Sequence, residues 1–309
     1  MSNETMQAAR IHDYGGPEQI VIEQAPRPEP KAGEVLVRLK AAGVNPADWK
    51  MRAGYMKQFV PLAFPWIPGL EGAGIVETVG PNVTTLKPGQ EVLGPITNSY
   101  AEYAVAPATD LVVKPEFLSF EQAASVPVGA LTAWGAVIDE AQVQPGQRVL
   151  VHGGAGGVGL YAVQFARWKG AQVTATTSTA NADFARSLGA EQVIDYHSTK
   201  FEDVAKNMDA VIDTVGGDLA ERSIRVIRPG GVFITVAGRV DPEIGRAHDI
   251  RAANARRADV AKLQTIIELL RSKEIVPVVG KVFPLGHARQ AQELSQTGHG
   301  RGRIILLAA

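Results

Sequence analysis

Short apolar runs alternate with glycine, proline and asparagine in the first third of the chain, from Gln7 to about Pro115. The runs are rich in Val and Ile and are bounded by turn residues, which is typical of strands in an irregular β-domain. Prolines recur between them and exclude long helices. The predicted strands are residues 19–23, 34–42, 72–79, 91–93 and 101–106.

After Phe120 the pattern changes to strands that alternate with helices. The predicted strands are residues 148–152, 172–177, 192–195, 210–213, 231–236 and 276–279. The predicted helices are residues 157–169, 181–188, 218–225 and 258–272. Such alternation predicts βαβ crossovers and a doubly wound parallel sheet. A last helix and the β-run 303–307 need not join that sheet and are candidates to return to the first domain.

The composition narrows the class of protein. The chain has 309 residues, with 31 Lys and Arg against 32 Asp and Glu, so a nucleic-acid binder with a broad basic surface is not expected. It has no cysteine, which excludes disulfides, a thiolate nucleophile and cysteine-ligated zinc. No run of about 18 apolar residues and no signal-peptide core is present, so we expect a soluble, cytoplasmic protein that does not enter a membrane.

A glycine-rich loop carries the strongest motif. Gly154, Gly156 and Gly159 satisfy G-x-G-x-x-G between an apolar strand and a helix, and the same loop includes Gly157 and Val158. Gly154 is expected to permit the sharp turn, Gly156 to admit a pyrophosphate, and Gly159 to let the helix pack closely on the strand. The alternative is a merely flexible glycine turn. The flanking elements favour a dinucleotide site at the N-terminus of the helix.

The next strand end indicates which dinucleotide binds. An Asp or Glu about 20 residues beyond the loop would hold the ribose 2′-OH of NAD. Residues 175–181 read ATTSTAN instead, and no acid precedes Asp183. Thr177 and Ser178 offer hydroxyl donors to a 2′-phosphate, which predicts NADPH as the cofactor. Ordinary loop and N-cap chemistry is the alternative role of these two residues, and no Arg or Lys stands beside them.

Several motifs in the expected order resemble the zinc-independent quinone oxidoreductases, the zeta-crystallin-like branch of the medium-chain dehydrogenase/reductase superfamily. They are residues 14–18, 41–48, 68–74 and 129–134, the glycine loop, and residues 300–306. The resemblance implies an α/β protein with a GroES-like, mostly β catalytic domain formed by residues 1–123 and 283–309. A Rossmann-type dinucleotide-binding domain, residues 124–282, is inserted between them.

The resemblance also implies roles for individual residues. Zinc-dependent relatives have a Cys where this chain has Asn45 and a His where it has Leu70, so no metal site is expected. Asn45 is implied to contact the nicotinamide ribose and Thr132 the nicotinamide face. Asp48, Trp49, Arg52 and Tyr55 follow at the spacing of the family's substrate pocket. The further implied cofactor-lining residues are Tyr196, Asp213, Thr214, Val215, Ala237 and Gly238.

Tyr55 and one further residue, Arg303, each have two possible roles. Tyr55 is a candidate proton donor or pocket wall, and otherwise a packing aromatic residue. Arg303 is a candidate pyrophosphate ligand, and otherwise a solvated arginine at a strand end. The catalytic candidates are therefore Asn45, Tyr55 and Thr132.

The missing metal ligands favour one kind of reaction. Alcohol oxidation needs a stabilised alkoxide, which a metal provides well and hydrogen bonds alone provide poorly. A quinone or an α,β-unsaturated carbonyl delocalises the incoming charge itself, so we predict an NADPH-dependent reductase of such small molecules. The alternatives are an enoyl-thioester reductase and a non-catalytic NADPH-binding sensor or crystallin-like protein. A homodimer is expected from the resemblance, with the apolar strand 276–279 extending the parallel sheet.

Overall fold

The computed structural model describes residues 4–308, and its first part is a β-domain. The strands are β1 (Thr5–Arg10), β2 (Val21–Pro26), β3 (Glu34–Val44), β4 (Gly72–Val79), β5 (Glu91–Gly94), β6 (Tyr103–Pro107) and β7 (Val112–Val113). β1 and β2 form a separate antiparallel pair. The long β3 is the centre of the main sheet, where it pairs antiparallel with both β4 and β6. The predicted irregular β-domain is thus present, with strand ends shifted by a few residues.

One helix lies within this β-domain, between β3 and β4, and two more follow the domain along the chain. They are α1 (Pro46–Arg52), α2 (Phe120–Ala124) and α3 (Pro127–Trp134), and α3 continues into a π-helical turn, Gly135–Glu140. α1 starts at Pro46, whose fixed φ suits a first helical position. α2 starts after Ser119, whose side chain accepts a hydrogen bond from Gln122 N.

The second part contains a six-stranded parallel sheet. Its strands are β8 (Arg148–His152), β9 (Gln172–Thr177), β10 (Gln192–Asp195), β11 (Met208–Asp213), β12 (Ile227–Thr235) and β13 (Arg251–Asn254). The connecting helices are α4 (Gly159–Trp168), α5 (Ala182–Ser187), α6 (Phe201–Val204), α7 (Leu219–Ile224) and α8 (Lys262–Arg271). The strand order is β10-β9-β8-β11-β12-β13, so the connections reverse direction between β8 and β11. The carboxyl ends of strands at such a reversal form the ligand crevice of doubly wound sheets.

The C-terminal elements return to the β-domain, as predicted. They are β14 (Val279–Pro284), α9 (Ala288–Gln296) and β15 (Arg303–Leu307). β15 pairs antiparallel with β3, and β14 pairs parallel with β15. Together with β3 to β7 they complete a seven-stranded sheet.

The predicted strand 276–279 was wrong in both position and sheet. Val276 bonds to a side chain instead of a neighbouring strand: its N–H donates to Gln164 Oε1 at 2.7 Å, and its carbonyl accepts from Gln164 Nε2 at 3.2 Å. Gln164 is buried on α4, so it anchors this segment under the helix. The strand that follows, β14, belongs to the seven-stranded sheet. The expected extension of the parallel sheet through this segment is therefore absent.

One buried apolar cluster joins the two parts of the molecule. It includes Ala41 of β3 and Ile305 of β15 on one side, and Val149 and Val151 of β8 on the other. A continuous core of this kind holds the two sheets in a defined relative position. The proposed division into residues 1–123 with 283–309 and residues 124–282 stays a prediction. Among the described residues, no helix is long and apolar enough to span a membrane.

Candidate active site

The glycine loop joins the end of β8 to the start of α4, as the motif predicts. The left-handed residue is Gly153, with φ of 70°, and not Gly154, to which the motif assigned the sharp turn. Gly154 instead faces β9, where an added Cβ would lie 2.8 Å from the Cβ of Ala175. A Cβ on Gly159 would collide with the Gly153 carbonyl oxygen. Gly154 and Gly159 therefore let the helix and the two strands pack closely.

The centre of this loop is open and lined by backbone donors. A Cβ on Gly156 would meet only the Gly153 carbonyl oxygen, at 3.3 Å. The N–H groups of Gly157 and Val158 have no acceptor within the described part of the chain, and α4 begins directly after them. Unpaired N–H groups at a helix N-terminus bind phosphate oxygens. The loop thus fits the diphosphate of a dinucleotide.

A buried ionic cluster connects the β-domain to this loop. Glu71 is completely buried; its Oε1 contacts Arg303 Nη2 and accepts from Asn45 Nδ2 at 2.9 Å. Its Oε2 accepts from Val128 N at 2.7 Å, in the first turn of α3. Asn45 Oδ1 accepts from Arg303 Nη2 at 2.9 Å, which closes the cluster. Glu71 therefore fixes Asn45 and Arg303 relative to the helix that passes the glycine loop.

The open centre of the glycine loop, with the N–H groups of Gly157 and Val158, is called the diphosphate cradle below. Arg303 lies directly beside it. Its Nη1 is 2.7 Å from the position that a Cβ on Gly157 would take. Its Nε–H is buried and has no acceptor among residues 4–308. A buried cation with an unpaired donor beside unpaired backbone N–H groups suits an anionic ligand. The structure thus places Arg303 next to the loop, away from the solvated position that was its alternative.

Two residues assigned to the substrate pocket point into the protein instead. Asp48 and Arg52 are completely buried. Asp48 Oδ2 accepts from Asn45 N at 2.7 Å and from Tyr100 OH at 2.9 Å. Arg52 Nε donates to Gln292 Oε1 at 2.8 Å. This part of the prediction was wrong, because these side chains occupy the inner face of α1 and hold it against the sheet and α9.

Exposed apolar side chains lie instead on the segments that follow α1 and β11. Tyr55 is 72% exposed, and its ring meets Trp49 edge-on at 6.0 Å between ring centroids. Phe59, on the segment after α1, is 69% exposed. Its ring centroid lies 5.8 Å from the guanidinium carbon of Arg239, on the segment after β12. Val215, after β11, is also exposed. The Phe59–Arg239 contact thus links the segment after α1 to the segment after β12.

Thr132 is partly exposed on α3, which passes the glycine loop at close range. A Cβ on Gly129, three residues earlier, would lie 2.8 Å from the Gly157 carbonyl oxygen. This approach places α3 at the edge of the cradle. The contact of Thr132 with the nicotinamide stays a prediction.

The loops after β11 and β12 are tied together by Asp213. Its Oδ1 accepts from the backbone N–H groups of residues 215 and 216 at 2.9 and 3.0 Å, and its Oδ2 accepts from Thr235 Oγ1 at 2.8 Å. Thr214 Oγ1 donates to the His152 carbonyl at 2.7 Å. Ala237 N donates to Thr235 Oγ1 at 3.0 Å, and Gly238 O accepts from Asn254 Nδ2 at 2.6 Å. Asp213 is thus buried beneath the two loops that the sequence predicts to line the cofactor, and it holds them in place.

At the predicted binding site for the adenosine ribose, the structure differs from the sequence prediction in two respects. Thr177 is buried, with 3% of its surface exposed, whereas Ser178 and Tyr196 are accessible. The adjacent strand brings a carboxylate here: Asp195 Oδ2 accepts from Thr179 Oγ1 at 2.5 Å. The premise of no nearby carboxylate was therefore wrong. The hydrogen bond from Thr179 lowers the pKa of Asp195, so this group is ionised.

Comparisons with known proteins place this geometry in a family. Residues 31–116 match the model of the "Alcohol dehydrogenase GroES-like domain", and residues 188–306 match that of "Zinc-binding dehydrogenase". The quinone oxidoreductase of Sus scrofa is 32% identical over 98% of this chain and 98% of its own length. The NADPH-dependent alkenal/one oxidoreductase of Arabidopsis thaliana is 32% identical over 97% of this chain and 79% of its own length.

A solved structure agrees over the whole chain. The quinone oxidoreductase from Coxiella burnetii superposes with a TM-score of 0.92 and 32% identity, covering 99% of this chain and 100% of that one. The chain belongs to the quinone oxidoreductase family of the medium-chain dehydrogenase/reductase superfamily. It is an oxidoreductase, and its GroES-like domain and Rossmann-type sheet confirm the predicted fold class.

The activity of this family member is expected to survive exhaustive chelation. The matched family description names zinc, yet the resemblance implies that Asn45 and Leu70 replace the metal ligands of zinc-dependent relatives. Within residues 4–308, no three His, Asp or Glu side chains are grouped to hold a metal ion. Elemental analysis and turnover before and after EDTA dialysis test this expectation. Stoichiometric zinc whose removal abolishes turnover would contradict it.

Proposed function

We propose that the protein uses NADPH to reduce a quinone or an α,β-unsaturated carbonyl compound. The observation that carries the proposal is the diphosphate cradle, with Arg303 buried beside it, together with exposed Val215 next to Gly153 and exposed Phe59 next to Arg239. The names of the two curated relatives support the same substrates and cofactor. When bound, the nicotinamide supplies a hydride.

The residues of the chain supply binding and orientation. The N–H groups of Gly157 and Val158 and the guanidinium of Arg303 hold the diphosphate. Asn45 and Thr132 orient the nicotinamide end, and Glu71 holds Asn45 in place through its hydrogen bond. The exposed aromatic rings bind a flat, apolar acceptor. An acceptor that delocalises charge then needs little beyond this orientation.

The proposal is tested by NADPH oxidation with 9,10-phenanthrenequinone, an alkenal and crotonyl-CoA as acceptors. We expect turnover with the quinone or the alkenal. Turnover with crotonyl-CoA alone would favour the enoyl-thioester reductase. Binding of NADPH without turnover of any acceptor would favour the non-catalytic alternative.

The Ser178→Asp variant is expected to lose the proposed preference for NADPH. Ser178 Oγ accepts from Asn181 Nδ2 at 3.2 Å at the end of β9, so Asp would place a negative charge beside the 2′-phosphate. Each charge-assisted hydrogen bond contributes roughly 1.5–3 kcal/mol, so the native preference over NADH should be about 10- to 100-fold. Nucleotide titration measures both affinities, and Ser178→Asn is the uncharged control. Equal affinity of the native protein for NADH and NADPH would contradict the proposal.

A homodimer and a cytoplasmic location stay proposals that rest on the sequence and its family. The dimer no longer has support from the segment 276–279. The edge strands of the parallel sheet are β10 and β13, and pairing of either strand with its copy across a two-fold axis would extend the sheet. Light scattering at micromolar concentration measures the mass, and a monomer of 32.8 kDa would contradict the dimer.

A further inference from the structure

The segment between α9 and β15, residues 297–302, lies along the whole predicted ADP site. At one end, Gly302 N donates to the Ala155 carbonyl of the glycine loop at 3.0 Å. At the other, the Gly300 carbonyl accepts from Asn181 Nδ2 at 3.4 Å. Asn181 also donates to Ser178, in the turn after β9. The segment thus spans from the diphosphate cradle to the turn where the ribose 2′-position is recognised.

Arg301 stands between these two anchors and carries the positive charge that the turn itself lacks. Its guanidinium carbon lies 5.6 Å from the ring centroid of Phe184, in the first turn of α5 after Asn181. The side chain is exposed, and no carboxylate among residues 4–308 pairs with it. A guanidinium over an aromatic face is held in place while its N–H donors stay available.

The two carboxylates nearby already have partners, neutral hydrogen-bond donors for Asp195 and an ion pair for Asp183. The Asp195 carboxylate accepts from Thr179 Oγ1, from His197 N at 3.0 Å and from Ser198 Oγ at 3.2 Å. Asp183, on α5, pairs with Arg186 at 2.8 Å. Arg301 is therefore the cation whose partner is missing at this turn, within the part of the chain that the structure describes.

We propose that Arg301 recognises the 2′-phosphate of NADPH, from a segment more than 100 residues away from the turn that normally carries this role. The assignment rests on the proposed NADPH dependence. It is distinct from the role of Arg303, whose side chain is buried beside Gly157 and the diphosphate. The guanidinium offers a planar set of donors that match two phosphate oxygens, whereas the free hydroxyl of NADH gives it no charge to pair with.

The test is calorimetric titration of the native protein and the Arg301→Ala variant with NADPH, NADH, 2′,5′-ADP and 5′-AMP. We expect the variant to bind NADPH and 2′,5′-ADP about tenfold or more weakly. Binding of NADH and 5′-AMP, which lack the 2′-phosphate, should change less than twofold. Arg301→Lys should restore part of the loss, because it returns the charge without the planar fork.

The matched control is Arg271→Ala. Arg271, on α8, is another exposed arginine over a phenylalanine ring. Its guanidinium carbon lies 5.3 Å from the ring centroid of Phe117. Its loss should leave all four affinities unchanged. Phe184→Leu keeps the Arg301 charge but removes the ring below it, and it should weaken NADPH binding by a smaller factor than Arg301→Ala.

The outcomes separate the assignment from the proposed function. A native protein that binds NADPH no better than NADH contradicts the proposed cofactor. A native preference for NADPH that persists in Arg301→Ala overturns the assignment alone. Equal weakening of NADPH and NADH also overturns it, since Arg301 would then serve the diphosphate common to both.

Discussion

The Gly156→Val variant is expected to lose dinucleotide binding by at least about 100-fold while it remains folded. The cradle leaves the space over Gly156 free of protein atoms except the Gly153 carbonyl oxygen at 3.3 Å. A valine side chain there would fill the volume in which the diphosphate reaches the N–H groups of Gly157 and Val158. Each lost hydrogen bond to a charged phosphate costs roughly 1.5–3 kcal/mol.

Calorimetry with NADPH measures the loss, and thermal unfolding checks that the variant is folded. Gly286→Val is the matched control, because a Cβ on Gly286 would meet nothing within 4 Å and its φ is not left-handed. Gly159→Val serves as a contrast: its Cβ would collide with the Gly153 carbonyl oxygen, so this variant should lose stability as well as binding. Normal NADPH binding by folded Gly156→Val would show that the diphosphate lies elsewhere.

The parts of the site that the sequence predicts are those whose signal is local. The glycine loop is recognisable because strand, glycines and helix follow one another within a few residues of β8 and α4. The return of residues 303–307 to the β-domain was left open by the hydrophobic pattern and was implied by the family resemblance; the pairing of β15 with β3 shows it. The fold class and the diphosphate cradle could thus be predicted from residues that are close together in the sequence.

The parts that escaped prediction depend on contacts between distant residues. Glu71 lies in a matched segment, yet its bonds to Arg303 and Val128 span 232 and 57 positions. Asp195 reaches the turn after β9 only because β10 pairs beside β9. Val276 resembles a strand residue, but Gln164 satisfies its backbone from 112 positions away. Hydrophobic patterning cannot reveal partners at such separations, since they arise from tertiary packing.

Burial shifts the pKa values of Asp48 and His152 in opposite directions, so the two groups contribute opposite pH dependences to stability. Burial raises the pKa of Asp48 from 3.8 to about 7, against the hydrogen bonds from Asn45 and Tyr100. Its Oδ1 is buried without a partner among the described residues, which suits a protonated carboxyl. Burial lowers the pKa of His152 from 6.5 to about 4. The His152 ring is almost fully buried and hydrogen-bonds Thr176 Oγ1 and Ser223 Oγ, as expected of a packing residue.

The direction in which pH changes the free energy of unfolding follows from proton binding in the folded and unfolded states. Asp48 binds a proton in the folded protein between pH 3.8 and 7 that the unfolded chain does not bind. Its contribution to stability is therefore complete below pH 3.8 and is lost as the pH rises through 7. For His152, the unfolded chain binds a proton between pH 6.5 and 4 that the folded protein excludes. That contribution is present above pH 6.5 and is lost as the pH falls to 4.

The Asp48→Asn variant is therefore expected to become acid-sensitive. From pH 6.5 to 4 the two groups nearly cancel in the native protein, and removing Asp48 leaves the His152 slope of about 1.4 kcal/mol per pH unit. The unfolding free energy of Asp48→Asn should fall by on the order of 3 kcal/mol relative to native across this window. Asparagine still accepts from Asn45 N and Tyr100 OH, so the variant should fold.

Urea unfolding at fixed ionic strength measures how the free energy of unfolding of each variant depends on pH. His152→Gln should show the opposite slope, and the double variant should follow the native curve. Parallel profiles for native and Asp48→Asn would mean that Asp48 is ionised in the folded protein.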